Sequence, residues 1–291
     1  MRSVFIDELV QLARKHAHIA LVVGDIGYSV IEPFADEFPD RFINAGVAEQ
    51  NMTGLAAGMA SEGYHVFTYS IANFPTFRCL EQIRNDIDYH GLPVTVVAVG
   101  GGLVYGPLGY SHHAVQDYAL MRTMPNMIIA APGDLSEVRA CMRFFIENPG
   151  PSYLRLGKAG KSLVHSAIPE VQPGLWLKIS GNSESLNAIV STGATLDYAL
   201  NLSKSRVHAD PVVFSVPLWG MKFKSIQPTM VSKFNEVVTL EDHLIDGGFG
   251  SWLMESILAT KSSGRVKPLA LSADVCGTVG TQQALNKLGG L

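Results

Sequence analysis

Short apolar runs alternate with stretches of helical periodicity along nearly the whole chain, and no other feature narrows the possible folds as much. IALVVGD (19–25), RFINAG (41–46), YHVFTYS (64–70), LPVTVVAVGG (92–101), NMIIAAP (126–132) and SYLRL (152–156) read as strands. Between them, VAEQNMTGLAAGMASEG (47–63), FRCLEQIRNDIDYH (77–90), HAVQDYALMR (113–122) and DLSEVRACMRFFIEN (134–148) space their apolar residues as helices do. Gly63 and Gly91 end two of these helices, and Asp134 with Glu137 three residues on makes an N-terminal capping signal for another. Strands that alternate with helices build a parallel sheet covered on both faces. The pattern fades from Gly157 to Gly174, where glycine and proline gather, and then restarts with LNAIVS (186–191), PVVFSV (211–216), EVVTLED (236–242) and KPLALS (267–272). The expectation is α/β with two parallel-sheet domains: a larger one over 1–160, a linker over 161–180 and a smaller one over 181–291.

Composition excludes several functions. The formal charge is −4, which gives no overall electrostatic case for nucleic acid or an anionic membrane as partner. Charged residues make up 16% of the chain, against a usual share of about 25%. So little charge leaves neutral surface, and burying part of it against another chain is the simplest remedy, so an oligomer is expected. Cys79, Cys141 and Cys276 are odd in number and far apart, which suits free thiols in a reducing compartment rather than a disulfide framework or zinc ribbon. Asp7, Glu8 and Arg14 interrupt the N-terminal apolar positions, so no signal peptide is read there, and the expected location is the cytoplasm.

Ligands of open parallel sheets bind at the C-terminal ends of the strands. Here those ends carry Gly24-Asp25, Gly46 to Gln50, Gly100 to His113 and Glu241 to Gly250. Glu49 falls in the first turn of a helix at such an end, where a carboxylate either complements the helix dipole or does chemistry. Gly54, Ala57, Gly58 and Ser61 recur on one face of that helix and allow close approach of another element. His112 and His113 follow a glycine-rich loop. With no acidic or cysteine partner at ligand spacing, proton transfer by one of them is a better reading than metal binding.

GVAEQNMTGLAAGMA, FRCLEQIRND, GLVYGPLGYSHHAVQDYALMR and PNMIIAAPGD, in this order and at these separations, resemble the pyrimidine-binding domain of the transketolase family. TLEDH (239–243) and GGFGS (247–251) resemble the family's C-terminal domain, so the likeness runs from about Phe5 to the end. The resemblance implies thiamine diphosphate as cofactor, with Glu49 as the carboxylic acid that bonds the pyrimidine nitrogen. Phe74 would stack on that ring, and Arg78 would stand beside them in the cofactor site. His112 matches the histidine of the family's G-x-[ST]-H element. His113 stands where glutamine is frequent, and Arg155 and Lys158 stand where basic groups meet the donor or acceptor phosphate. Transfer of a two-carbon unit needs a carbanion equivalent at a carbonyl carbon, which side chains do not supply and a cofactor does. Glu49 would favour the reactive tautomer of the pyrimidine, and His112 would stabilise or protonate developing oxygen charge.

The family's diphosphate site, a GDG followed at a distance by asparagine, has only a decoy here. Gly24-Asp25-Ile26 lacks the last glycine, and Asn51 falls inside the pyrimidine-site helix. The resemblance therefore implies the C-terminal subunit of a split transketolase. An N-terminal diphosphate-binding subunit would carry the Mg2+ ligands, the assembly would be an α2β2 heterotetramer, and this chain alone would be inactive. Gly100, Leu108 and Lys158 stand where the family has histidine, an acid and arginine. Each loses a polar contact, which points to a modified or non-phosphorylated sugar. A decarboxylating subunit, similar to deoxyxylulose phosphate synthase or to the beta subunit of a 2-oxo acid dehydrogenase, is the alternative, and EQIRN and ALMR favour the transketolase side. A scaffold without activity is a third reading, against which Glu49 and His112 speak.

Overall fold

The computed structural model describes residues 1–158, 164–205, 210–258 and 264–291. Strands β1 (Ile19–Val23), β2 (Phe42–Asn44), β3 (His65–Ile71), β4 (Val94–Val99), β5 (Ile128–Ala130) and β6 (Ser152–Leu156) pair in parallel. The second series is β7 (Leu177–Ser180), β8 (Asn187–Ser191), β9 (Val212–Ser215), β10 (Leu218–Trp219), β11 (Glu236–Leu244) and β12 (Arg265–Leu271). The first sheet has the order β10-β5-β6-β4-β3-β1-β2 and the second β12-β11-β8-β9-β7. β1, β4 and β6 are buried along their whole length, as continuous apolar runs in a sheet covered on both faces require.

Two edge strands escape the sequence pattern. β7 and β10 run antiparallel to β9 and β5. At four and two residues they are too short to display a period. β7 occupies the end of the expected linker, of which residues 161–163 lie outside the described residues. β10 carries the chain back to the first sheet, with Leu218 opposite Ala130 and Trp219 opposite Ile129. Trp219 then packs against Tyr118, Phe249 and Trp252, so one buried aromatic cluster joins the two sheets.

The helices Arg2–Lys15 and Leu135–Glu147 cover one face of the first sheet through Phe5, Leu9, Val138 and Phe145. The buried Glu8 carboxylate ties them by accepting from Arg139 at 2.6 Å and Arg143 at 2.7 Å. The helix Glu49–Ser61 covers the other face with Met52 and Ala56. Ala57 also turns inward, whereas Gly54, Gly58 and Ser61 face outward, so the expected stripe of small residues is split between core and surface. The stretch read as one helix over 77–90 is π-helical across Ile83–Asp88. The wider turn lets Asp88 accept from the Asn126 N–H through Oδ1 and from Asn126 Nδ2 through its carbonyl. No helix among the described residues is long and apolar enough to cross a membrane.

Candidate active site

β4, β3, β1 and β2 are consecutive in the first sheet, so the loops leaving their C-terminal ends stand side by side. β1 delivers Gly24 and Asp25, and β2 leads through Gly46, at φ +72°, into the helix that begins at Glu49. β3 runs into the short helix Asn73–Phe77 and then Arg78, and β4 opens the loop that ends at His112.

Glu49 is buried to 1% exposure, and its Oε2 accepts from Arg78 Nη1 at 2.5 Å. Arg78 is itself half-exposed, and its guanidinium lies 4.9 Å from the centre of the Phe74 ring. His112 meets Phe74 edge-on with ring centres 5.3 Å apart, and Ser111 Oγ lies 3.0 Å from its Nδ1. Glu49, Phe74, Arg78 and His112, four of the residues singled out from the sequence, thus form one contiguous chain of contacts.

The other three lie elsewhere. Arg155, expected at a substrate phosphate, is 2% exposed, and its five N–H donors are all engaged. It bonds Asp117, Asp242, the Tyr118 hydroxyl and the carbonyls of Ala114 and Asp242. No donor remains for a ligand, so the substrate role is corrected to a tie between the sheets. His113, expected beside substrate, is buried, with Nε2 3.1 Å from the Gly106 carbonyl. It braces the inside of the loop. Lys158 is exposed two residues after the end of β6. The TLEDH segment is likewise structural. Glu241 accepts from the N–H groups of Phe249 and Gly250 at the start of a helix, Asp242 holds Arg155, and His243 stacks on Tyr118.

Several further residues join the site without a role read from the sequence. Asp25 has φ +55°, a costly conformation for a non-glycine residue, and its carboxylate accepts from Asn44 and Tyr28. Those hydrogen bonds, Asn44's first, hold it below the usual carboxylate range. Tyr105 packs its ring against Gly100, at φ +84°, so that no side chain fits there, and stands 6.3 Å from His112. Asn73 is buried under the His112 loop. Asp25 and Tyr105 share the cue of their place after a strand, and Asn73 offers another, as a lone amide between a buried strand and an aromatic.

A buried carboxyl, a half-open aromatic ring and an imidazole at neighbouring strand ends make a cleft for a planar, nitrogen-bearing heterocycle. The family described as "Transketolase, pyrimidine binding domain" matches residues 1–160. A putative transketolase C-terminal section of Methanocaldococcus jannaschii is 34% identical over 100% of this chain and 92% of its own length. One subunit of the apulose-4-phosphate transketolase of Phocaeicola vulgatus is 31% identical over 88% of this chain and 83% of its own. Among solved structures, a split-gene transketolase described as an inactive β4 tetramer superposes with a TM-score of 0.84 at 30% identity, covering 100% of this chain and 93% of that one. The chain belongs to the transketolase family, and it has the extent of the C-terminal subunit of a split member.

That family uses thiamine diphosphate, and the residues present fit its pyrimidine. No described residue donates to Glu49 Oε1, and Ser70 Oγ is buried without a partner among the described residues. Gly24 leaves clear the space beside both. A Cβ there would stand 3.4 Å from Ser70 Oγ and 3.7 Å from Glu49 Oε1.

Proposed function

We propose that this chain, joined to a subunit that grips the diphosphate through Mg2+, transfers a two-carbon ketol unit from a ketose to an aldehyde. The observation that carries the reading is the Glu49 carboxyl, buried at the sheet's ligand edge with one oxygen fixed by Arg78 and the other facing the gap at Gly24. When bound, thiamine diphosphate supplies the electron sink that cleavage of a carbon–carbon bond requires. Glu49 holds or gives a proton at the pyrimidine nitrogen through Oε1. Phe74 and Arg78 bound the ring's plane and keep the carboxyl oriented. His112 bonds the substrate oxygens and moves a proton to or from them.

The reading keeps 1–160 as the unit that carries the pyrimidine site, 161–180 as the connection and 181–291 as the second unit, although β7 at the end of the connection already pairs in the second sheet and Leu218–Trp219 returns to the first. Exposed Tyr28, Val47, Leu55, Phe77, Leu108 and Tyr110 follow the strands, loops and helices that border the site. So apolar a rim suits burial against the diphosphate-binding subunit and a second copy of this chain, in an α2β2 arrangement. Of Arg155 and Lys158, only Lys158 is accessible to a substrate phosphate. Leu108, 56% exposed, and Tyr105 over Gly100 present apolar groups there, which favours a modified or non-phosphorylated sugar as substrate.

Copurification with its partner, followed by assay with and without thiamine diphosphate and Mg2+, tests this. Cofactor-dependent ketol transfer by the complex, abolished by Glu49→Ala, is the expected result. Turnover by the chain alone would remove the need for a partner. Release of carbon dioxide from a 2-oxo acid donor would move the reaction to the decarboxylating class, and ordinary turnover of xylulose 5-phosphate would overturn the altered substrate.

A further inference from the structure

The carbonyls of the two residues that flank His112 are held by one side chain. Asn73 Nδ2 donates to the carbonyls of Ser111 at 3.0 Å and His113 at 3.1 Å, and the carbonyl of Tyr110 lies 3.5 Å away. The loop that these carbonyls belong to has little regular structure. It consists of two three-residue helical turns, Gly106–Leu108 and Tyr110–His112, and its stems meet in a single bridge between Gly102 and Ala114. The stems are fixed from beneath: Arg155 bonds the Ala114 carbonyl, and Gly101 packs so closely on Arg155 that a Cβ would stand 2.5 Å from its Nε. Asn73 fastens the other end.

The chemistry selects an amide for this position. Nδ2 carries two hydrogens on one atom, which suits two carbonyls converging from one side, whereas a hydroxyl has one hydrogen and a carboxylate none. The opposite atom, Oδ1, is buried with no donor among the described residues. Leaving an acceptor unpaired is unfavourable, and the fold keeps it while the NH2 group makes its bonds. Asn73 also directly precedes Phe74, whose ring meets the His112 imidazole edge-on. A single residue therefore ties the chain beside Phe74 to the loop that carries His112.

We propose that Asn73 is a positioning residue for the transfer reaction, its carboxamide locking the backbone around His112 so that the imidazole stands at a fixed place beside Phe74. This rests on the role proposed above for His112. Misplacement of a reacting group by about 1 Å lowers rates about 100-fold.

In the reconstituted two-subunit enzyme, Asn73→Ala is expected to lower kcat about 100-fold, with donor KM and the half-saturating thiamine diphosphate concentration little changed. Asn73→Asp, which turns a carboxylate toward carbonyls, is expected to be at least as damaging, and Asn73→Ser, with one donor, intermediate. Because Asn73 acts through His112, adding Asn73→Ala to His112→Ala changes kcat no further. In the full chain by itself, hydrogen exchange at the amides of 103–113 quickens in Asn73→Ala while exchange in β1 and β4 stays as it was. Wild-type kcat in Asn73→Ala and Asn73→Asp, a further loss in the double variant, or unaltered exchange in the loop would each overturn the proposal. If the wild-type complex shows no cofactor-dependent turnover, the functional reading falls, and the exchange measurement still decides whether Asn73 holds the loop. Should Asn73→Ala fail to fold, Asn73→Ser carries the same comparisons.

Discussion

Two arginine–carboxylate pairs lie within one sheet's reach of each other and have different surroundings. Arg155 is sealed between Asp117 at 2.7 Å and Asp242 at 2.5 Å, and every partner is buried. Arg78 meets Glu49 at 2.5 Å, but its side chain is 46% exposed. Burial raises the cost of an unpaired charge, so Arg155 must be fully satisfied and has nothing left for a ligand. At the Glu49 pair, water still reaches the arginine, and one carboxylate oxygen is left for another group. The same two functional groups thus make a sealed structural tie in one place and leave an open carboxylate oxygen in the other.

Activity and stability should separate along that line. Glu49→Ala is expected to lower the rate of the reconstituted enzyme about 10²–10⁴-fold while the urea midpoint of the chain moves little. An active Glu49→Ala enzyme would erase the distinction. Arg155→Met should do the reverse at the level of folding, costing about 3–5 kcal/mol because it strands Asp117 and Asp242. Denaturant titration of the free chain measures this, and a loss below about 1 kcal/mol would mean that the tie is weaker than its geometry. Arg78→Met should cost about 1 kcal/mol or less and raise the thiamine diphosphate concentration needed for half-maximal activity. A folding defect as large as that of Arg155→Met would place both pairs in one class.

A smaller effect is expected at a pair intermediate between these two. His165 Nε2 lies 3.0 Å from Glu137 Oε1, and Glu137 Oε2 also accepts from the Gly133 N–H and from Ser215 Oγ. The cluster of Asp134, Glu137 and His165 thus clasps the segment after the first sheet to β9. The bond to Glu137 raises the His165 pKa above its ordinary 6.5. A raised folded-state value stabilises fully below pH 6.5 and is lost as pH climbs through the raised value. Melting curves of His165→Gln against wild type should therefore differ most below pH 6.5 and converge at higher pH. A gap that widens with pH would contradict the clasp. The smallest change is expected for Lys158→Ala: unaltered melting and a few-fold higher KM, on the order of one lost charge contact, confined to phosphorylated substrates.

Much of this is legible along the chain. Asp134 caps its helix, accepting from the Glu137 N–H at 2.8 Å, as the two residues' spacing indicates. The long strands and the placement of Glu49 at a strand-to-helix turn follow from periodicity and glycine. Arg155 is misplaced when its motif is weighed without its strand. An arginine flanked by leucines in a short strand of a doubly covered sheet is buried, and a buried arginine needs acids around it. That cue is present in the sequence, although the identity of Asp242, 87 residues away, is not. Sequence ranks neither of the tandem histidines by exposure, and the fold turns His113 inward and leaves His112 half-open.

The amino-acid order by itself determined the alternation of strand and helix, and with it the parallel sheets and the edge at which ligands collect, because apolar period and backbone stops act over a few residues. Only the tertiary structure decided which polar side chains are free. Glu49 keeps an oxygen open and Arg155 does not, since the availability of a charged group depends on how many partners and how much water surround it. Those partners arrive from helices, loops and strands that are distant in sequence.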